Sequence, residues 1–218
     1  MKFDVSTKPF TYQYSQPSEY RFSMDSVEMA FRLGMEFQQR NLFRPLRVLD
    51  LCSGCGVLGF EFHFFERRIE FIDFVEVQQQ YVPHFDHNRS LVQPPLAAFH
   101  FHLKNYQDLL CDEFESRYDV VLCNPPFFRA GHGTLAPSEF KNRCRFFLDS
   151  SFEVLAKTIQ HVLAPQGEGY VIFRSLHEHG FDAVKELKTL LAQRCVVDEL
   201  EPVRTARFVR VTIVNANL

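Results

Sequence analysis

The sequence predicts an α/β fold: a mostly parallel seven-stranded sheet with helices on both faces and a C-terminal antiparallel hairpin, a Rossmann-like arrangement. Three observations lead there. From Leu46 onward, short apolar runs alternate with longer helix-like segments, the order that builds a parallel sheet covered on both sides. A glycine-rich turn follows the first run and opens a helix, as in ligand-binding α/β sheets. The last two runs are joined by a short turn at Pro202, which reads as a hairpin at the sheet edge.

Element by element, residues 26–39 are helical, with Asp25 as the N-cap. Residues 47–51 form a buried strand and residues 57–67 a helix. Residues 70–77 are strand-like, and residues 78–90 are helical in length but interrupted by Pro83. Another strand occupies 97–103. Residues 118–123 are a short strand around Val120-Val121-Leu122, ending at two prolines. An amphipathic helix over 150–163, a strand over 169–174 and a helix over 179–193 follow. Strands over 195–201 and 205–214 close the chain.

A length of 218 residues suits one domain with a substantial core. The expectation is a single unit over 1–218, with 1–45 as an extension contributing to the binding cleft. Hydrophobic residues make up 46% and charged residues 23%, which excludes a disordered chain. Aromatic packing between sheet and helices accounts for most of the 25 phenylalanines. No apolar run approaches bilayer-spanning length, and the polar start at Met1 to Phe10 does not resemble a signal peptide. The six scattered cysteines then read as reduced thiols in a cytoplasmic protein. A net charge of −3 argues against coating nucleic acid through bulk positive charge, while leaving room for a local basic rim.

The turn Asp50-Leu51-Cys52-Ser53-Gly54-Cys55-Gly56 carries the first chemistry. Gly54 and Gly56 permit positive φ and close approach of a ligand, and amides at the following helix start face it. Glu76, 26 residues after Asp50, ends the next strand, where a carboxylate can accept the ribose hydroxyls of an adenosine-containing ligand. Both features also suit a dinucleotide. Asp50 separates the cases: a pyrophosphate would be repelled by a carboxylate there, whereas the amino group of S-adenosylmethionine would be attracted.

The second motif, Asn124-Pro125-Pro126-Phe127, follows a strand directly. An exocyclic amine is a poor nucleophile because its lone pair is delocalised into the ring. The Asn124 amide oxygen and the Pro125 carbonyl can accept its two N–H bonds and turn the lone pair toward a sulfonium methyl group. The prolines fix the carbonyl directions, and Phe127 can stack on a planar substrate. Beyond it, Phe128, Arg129, His132, Lys141, Arg143 and Arg145 are candidates to border the substrate and its phosphates, or form a charged helical face. Arg204, Arg207 and Arg210 offer a second phosphate contact or a solubilising edge. The Cys52–Cys55 pair has CxxC spacing without a second pair to complete a zinc tetrad. His100 and His102 share a strand face without an evident carboxylate beside them, and His177-Glu178-His179 has the same weakness. No metal is expected.

This arrangement resembles the amino methyltransferases of the class I superfamily, whose signature is Asn/Asp/Ser-Pro-Pro-aromatic. It is most similar to the bacterial enzymes that N6-methylate adenosine-37 of valine tRNA. Phe10-Thr11-Tyr12 and the stretch from Arg21 to Ser26 look like that family's N-terminal segment, with Asp25 at its aspartate. Asp50, Gly54, Gly56, Glu76 and Asn88 fall on its spacing. The resemblance implies S-adenosylmethionine as cofactor and RNA, most simply tRNA, as partner. It places Asp25, Asp50, Cys52, Gly54, Gly56, Glu76, Asn105 and Asn124 around the cofactor, with Asn124 to Phe127 at the target base. The family usually has glycine where Cys52 stands and aspartate where Asn105 stands. A release-factor type of glutamine N5-methyltransferase shares the motif, but favours tyrosine at Phe127 and usually carries an extra N-terminal helical domain. Only about 45 residues precede the first strand here. DNA adenine is a further substrate class, with no target-recognition domain visible. A non-catalytic S-adenosylmethionine- or RNA-binding module is the alternative of another class; a scaffold has no need of a turn that orients a lone pair.

Overall fold

The structure, a computed structural model, describes residues 13–92, 97–129, 131, 133–174 and 181–214. The first helix, α1 (Met24–Gln38), leads into β1 (Leu46–Leu51), α2 (Val57–Phe65), β2 (Ile69–Glu76), α3 (Val82–Leu91) and β3 (Ala98–Leu103). Short 3-10 turns precede β4 (Tyr118–Cys123). Then come β5 (Phe128–Arg129), α4 (Glu139–Arg145), β6 (Phe146–Phe147), α5 (Phe152–Val162), β7 (Leu163–Arg174), α6 (Ala183–Leu191), β8 (Cys195–Val203) and β9 (Ala206–Ile213).

Seven strands form one sheet in the order β3-β2-β1-β4-β7-β9-β8. Only β9 opposes the rest: it is antiparallel to both β7 and β8, so the expected C-terminal hairpin is present with its last strand inserted between them. Alternate residues of the central strands point to opposite layers. Val48, Val120, Leu122, Tyr170 and Ile172 join the core under α1 and α2. Leu49, Leu51, Val121, Val171 and Phe173 join the one under α5 and α6. The first of these cores holds an aromatic knot in which Phe60 lies 4.8 Å from Phe74 and 5.3 Å from Phe85. This is where much of the phenylalanine content is placed.

Several boundaries differ from expectation for local reasons. Ser23, not Asp25, occupies the N-cap of α1, and Asp25 lies in its first turn, where a carboxylate still favours the helix dipole. Pro83 does not interrupt a helix. It sits in the opening turn of α3 after the 3-10 turn Gln79–Tyr81, where its missing N–H is no loss. The last hairpin turns at Arg204-Thr205 rather than Pro202, with Arg204 at φ 54° and an irregular register between Leu200 and Val203. The two-residue pair β5 and β6 is parallel and separate from the main sheet.

Candidate active site

Strands β1, β2 and β4 end side by side, Leu51 pairing with both Val75 and Cys123. The loops beyond them enclose a cleft of about 1150 Å³ including its open mouth, where α/β sheets bind ligands. After β1 the chain turns back on itself through Cys52 (φ 60°), Gly54 (φ 54°) and Gly56 (φ 83°). The two glycines differ in purpose. A Cβ on Gly54 would meet Tyr81 at an ordinary 3.5 Å, whereas one on Gly56 would lie 2.6 Å from the Phe60 ring and 3.0 Å from Phe85. Gly56 is therefore required by the aromatic core beneath the turn as much as by its backbone, and it is not among the cleft-lining residues. Cys52 adopts a conformation that glycine accepts without strain. Its side chain lines the cleft.

Two buried carboxylates hold this loop. Asp50 Oδ2 accepts the Gly59 N–H at 2.9 Å, while Oδ1 is buried without a hydrogen-bond partner. Burial pushes this carboxyl up to about 8, the Gly59 N–H opposes the rise, and the Glu76 charge adds to it. Glu76 accepts three backbone N–H groups: Gly54 on Oε2 at 2.9 Å, and Val77 and Gln78 on Oε1 at 3.0 and 2.9 Å. A carboxylate offers about four acceptor sites, so Glu76 has one left, on Oε2. It can take one ribose hydroxyl in this arrangement rather than the two expected. An orphaned acceptor at Asp50 Oδ1 and a spare one at Glu76 suit a ligand bearing an ammonium group and a ribose.

On the facing side, Asn124 donates from Nδ2 to Ser26 Oγ at 2.8 Å. That bond fixes which way the amide points and leaves Oδ1 free to accept. The Phe127 N–H donates to the Arg145 carbonyl at 3.0 Å, which ties the Pro-Pro turn to the end of α4. Pro125, Pro126 and the Phe127 side chain line the cleft, and the guanidinium carbon of Arg174 lies 5.3 Å from the Phe127 ring centroid.

The N-terminal segment closes the cleft through Gln16, Tyr20, Phe22, Ser23 and Ser26. Asn88, buried in α3, holds that segment. Its Oδ1 accepts the Ser15 N–H at 2.7 Å, and its Nδ2 donates to the Ser15 and Cys55 carbonyls at 3.0 and 2.9 Å. One side chain thus joins the N-terminal wall to the glycine turn.

Other expected site residues are placed elsewhere. The Asp25 carboxylate lies 3.4 Å from Arg204 Nε on the C-terminal hairpin, and Asp25 does not line the cleft. Asn105 does line it, but its side chain is occupied: Oδ1 caps a 3-10 turn at the Gln107 N–H and Nδ2 donates to the Asp149 carbonyl at 2.7 Å. It shapes the wall rather than offering a free polar atom. Arg129 bonds Glu153 at 2.8 Å, pairs with Glu186 and stacks on Phe181, which pins β5 to α5 and α6 and turns it from the cleft. Arg143 lines the cleft with its charge matched by Asp149 at 2.7 Å. Phe128 packs on Phe146 at 5.1 Å, and Lys141 is half-buried on α4; neither lines the cleft. Arg207 pairs with Asp182 and Glu199, and Arg210 with Asp198, so these hairpin arginines are matched structurally. Phe10-Thr11-Tyr12, His132 and His177-Glu178-His179 lie outside the described residues.

A carboxylate does stand beside His100 and His102. Asp73, from the neighbouring strand, accepts from Tyr118 at 2.7 Å and bonds His100 Nδ1 at 2.7 Å. Among the described residues no group of His, Cys, Asp and Glu is arranged to hold a metal ion. Cys55 is buried and its thiol is pushed up to about 12 by that burial, and all six cysteines are free, so the CxxC spacing builds neither a disulfide nor a thiolate site.

Residues 19–172 match the methyltransferase small domain family. The chain belongs to that family. Curated relatives include the tRNA1(Val) (adenine(37)-N6)-methyltransferase of Dyadobacter fermentans, 30% identical over 58% of this chain and 50% of that protein. The protein of the same name in Shewanella frigidimarina is 26% identical over 67% of this chain and 62% of its own length. The matches thus span about half to three-fifths of these relatives. Among solved structures, a SAM-dependent methyltransferase from Agrobacterium tumefaciens superposes with a TM-score of 0.58 at 17% identity, covering 87% of this chain and 62% of that one. The shared fold is that of Rossmann-like methyltransferases. The family match begins within the N-terminal wall and ends in β7, so it takes in both the glycine turn and the Asn-Pro-Pro-Phe turn.

Proposed function

We propose that this methyltransferase uses S-adenosylmethionine to methylate the N6 amine of an adenine in RNA, most simply in tRNA. The observation that carries the reading is the Asn124 amide, anchored through Nδ2 to Ser26 with Oδ1 free, in the same cleft as Asp50 and Glu76. S-adenosylmethionine, when bound, supplies an electrophilic methyl group. The residues that would hold it are Asp50 for the ammonium group, Glu76 for a ribose hydroxyl, and Cys52 with Gly54 beside the backbone.

The chain's own contribution is orientation. Asn124 Oδ1 and the Pro125 carbonyl accept the two amine N–H bonds, which localises the nitrogen lone pair, and Phe127 stacks under the base. With the cofactor bound, the nitrogen would gain a bond to the methyl carbon as the carbon–sulfur bond breaks to leave a neutral thioether, and would lose one proton to solvent. No strong base is needed, because the alkylated nitrogen is acidic. The names of the curated relatives support adenine in tRNA as the substrate. In this reading residues 1–218 act as one methyltransferase unit in the cytoplasm, with residues up to 45 forming one wall of the cleft. No helix among the described residues is long and apolar enough to cross a membrane.

The test is transfer of labelled methyl from S-adenosylmethionine to separate pools of tRNA, ribosomal RNA, DNA and protein, followed by nucleoside analysis. Label in N6-methyladenosine from tRNA is expected. Label in protein alone would move the reading to a glutamine amide, and cofactor binding without transfer to any pool would leave a binding module.

A further inference from the structure

The cleft has a cationic side that the methyl-transfer reading leaves without a task. Arg174 ends β7 and lines the cleft with its guanidinium over Phe127. Arg145 ends α4 and flanks the cleft without lining it: its carbonyl accepts the Phe127 N–H, and its guanidinium lies 5.3 Å from the Phe128 centroid and 5.4 Å from that of Phe146. The two converge on Tyr20: burial and Cys144 push its phenol up, and the charges of Arg174 and Arg145 both pull it back down.

Charge matching sets these two apart. Arg129, turned from the cleft, and Arg143, on its wall, are neutralised by Glu153, Glu186 and Asp149. Among the described residues neither Arg174 nor Arg145 is paired with a carboxylate; both instead rest on aromatic faces. Stacking holds the guanidinium plane while its N–H edge stays available, the arrangement suited to bidentate binding of an oxyanion.

We infer that Arg174 and Arg145 form a phosphodiester subsite on the Phe127 side of the cleft, taking the backbone phosphate next to the nucleotide being methylated. This rests on the RNA reading above. A base stacked on Phe127 carries its phosphate one sugar away, so a cation resting on that ring is in reach of it. Arg145 is among the residues the sequence alone puts forward for this task, and Arg174 is the addition; Arg129 and Arg143, put forward with Arg145, have charges already matched within the protein.

The test measures the Kd of the intact protein for an RNA stem-loop with adenine in the loop, by fluorescence anisotropy across salt concentrations. Arg174→Gln and Arg145→Gln keep most of each stem against its aromatic neighbour. Each should weaken binding roughly tenfold and lower the slope of log Kd against log salt by about 0.7, the loss of one single-strand phosphate contact. Arg194→Gln, at the opposite end of the strands before β8, removes the same charge and should leave the slope unchanged. Unchanged slopes for both the Arg174 and Arg145 variants, with the wild type still binding and methylating RNA, would overturn the subsite alone. A wild type that binds no RNA at any salt concentration overturns the subsite and the RNA reading together.

Discussion

Replacing Asp50 by asparagine should make the ligand-free protein more stable, and the gain should depend on pH. The carboxyl is 1% exposed, one of its oxygens has no partner, and it titrates at about 8 instead of the ordinary 3.8. Because the folded state holds this proton more tightly than the unfolded chain, the contribution to stability is complete below pH 4 and is lost as pH rises through 8. Each pH unit between those limits costs about 1.36 kcal/mol, so the carboxyl costs ~4 kcal/mol at pH 7. Asparagine keeps an oxygen for the Gly59 N–H but places an unmatched amide where Oδ1 was, which returns roughly 1–3 kcal/mol. A net gain of about 2 kcal/mol remains, or about 4–8 °C in Tm for a chain of this size. Urea unfolding at pH 5, 6, 7 and 8.5 without cofactor would measure it. The advantage of Asp50→Asn over wild type should widen up to pH 8 and then level off, while affinity for S-adenosylmethionine falls. An advantage that is constant with pH, or a variant less stable at pH 8.5, refutes the account of a strained buried acid.

Further outcomes follow from the same geometry. Asn124→Ala should abolish methyl transfer while calorimetric affinity for S-adenosylmethionine stays nearly intact; comparable turnover would sink the orienting mechanism. Ser26→Ala releases the Asn124 amide and should lower kcat about fivefold with little change in KM, consistent with ~1 kcal/mol for one hydrogen bond, and Ser26→Thr should restore most of it. Gly56→Ala drives a methyl group into Phe60 at φ 83° and should destabilise the fold by roughly 2–4 kcal/mol in urea unfolding, where an unchanged midpoint would contradict the packing argument.

The layers of this fold are legible in the sequence because buried parallel strands and helix faces write themselves as local apolar patterns. The glycine turn and the Asn-Pro-Pro-Phe turn are legible because each needs residue types with special backbone properties. What escapes is pairing over long separations. Nothing near Arg129 announces that Glu186, 57 residues on, will take its charge, or that Asp25 will face Arg204 in the last hairpin. Asn105 next to Tyr106 gives no sign that its amide will cap a 3-10 turn. Arg174 looks like the polar end of a strand until Phe127 is seen beneath it. Ser26 lies within the stretch that resembles known enzymes, but its task depends on a contact across 98 residues. The carboxylate beside His100 and His102 was hidden for the same reason, since Asp73 reaches them across a strand pair rather than along the chain.

The insertion of β9 between β7 and β8 gives the sheet an order of assembly. Among the described residues every one that lines the cleft lies at or before Arg174, so these residues leave the ribosome before the strand that completes the sheet. During that interval the length of β7 from Glu168 to Arg174, later paired with Thr212 to Ala206, is an open edge able to join a neighbouring chain. A nascent chain stalled before β9 would therefore carry the residues of the cleft and a self-associating border at once. The terminal hairpin touches the cleft nowhere among its lining residues, yet it governs whether that cleft is delivered on a solitary molecule.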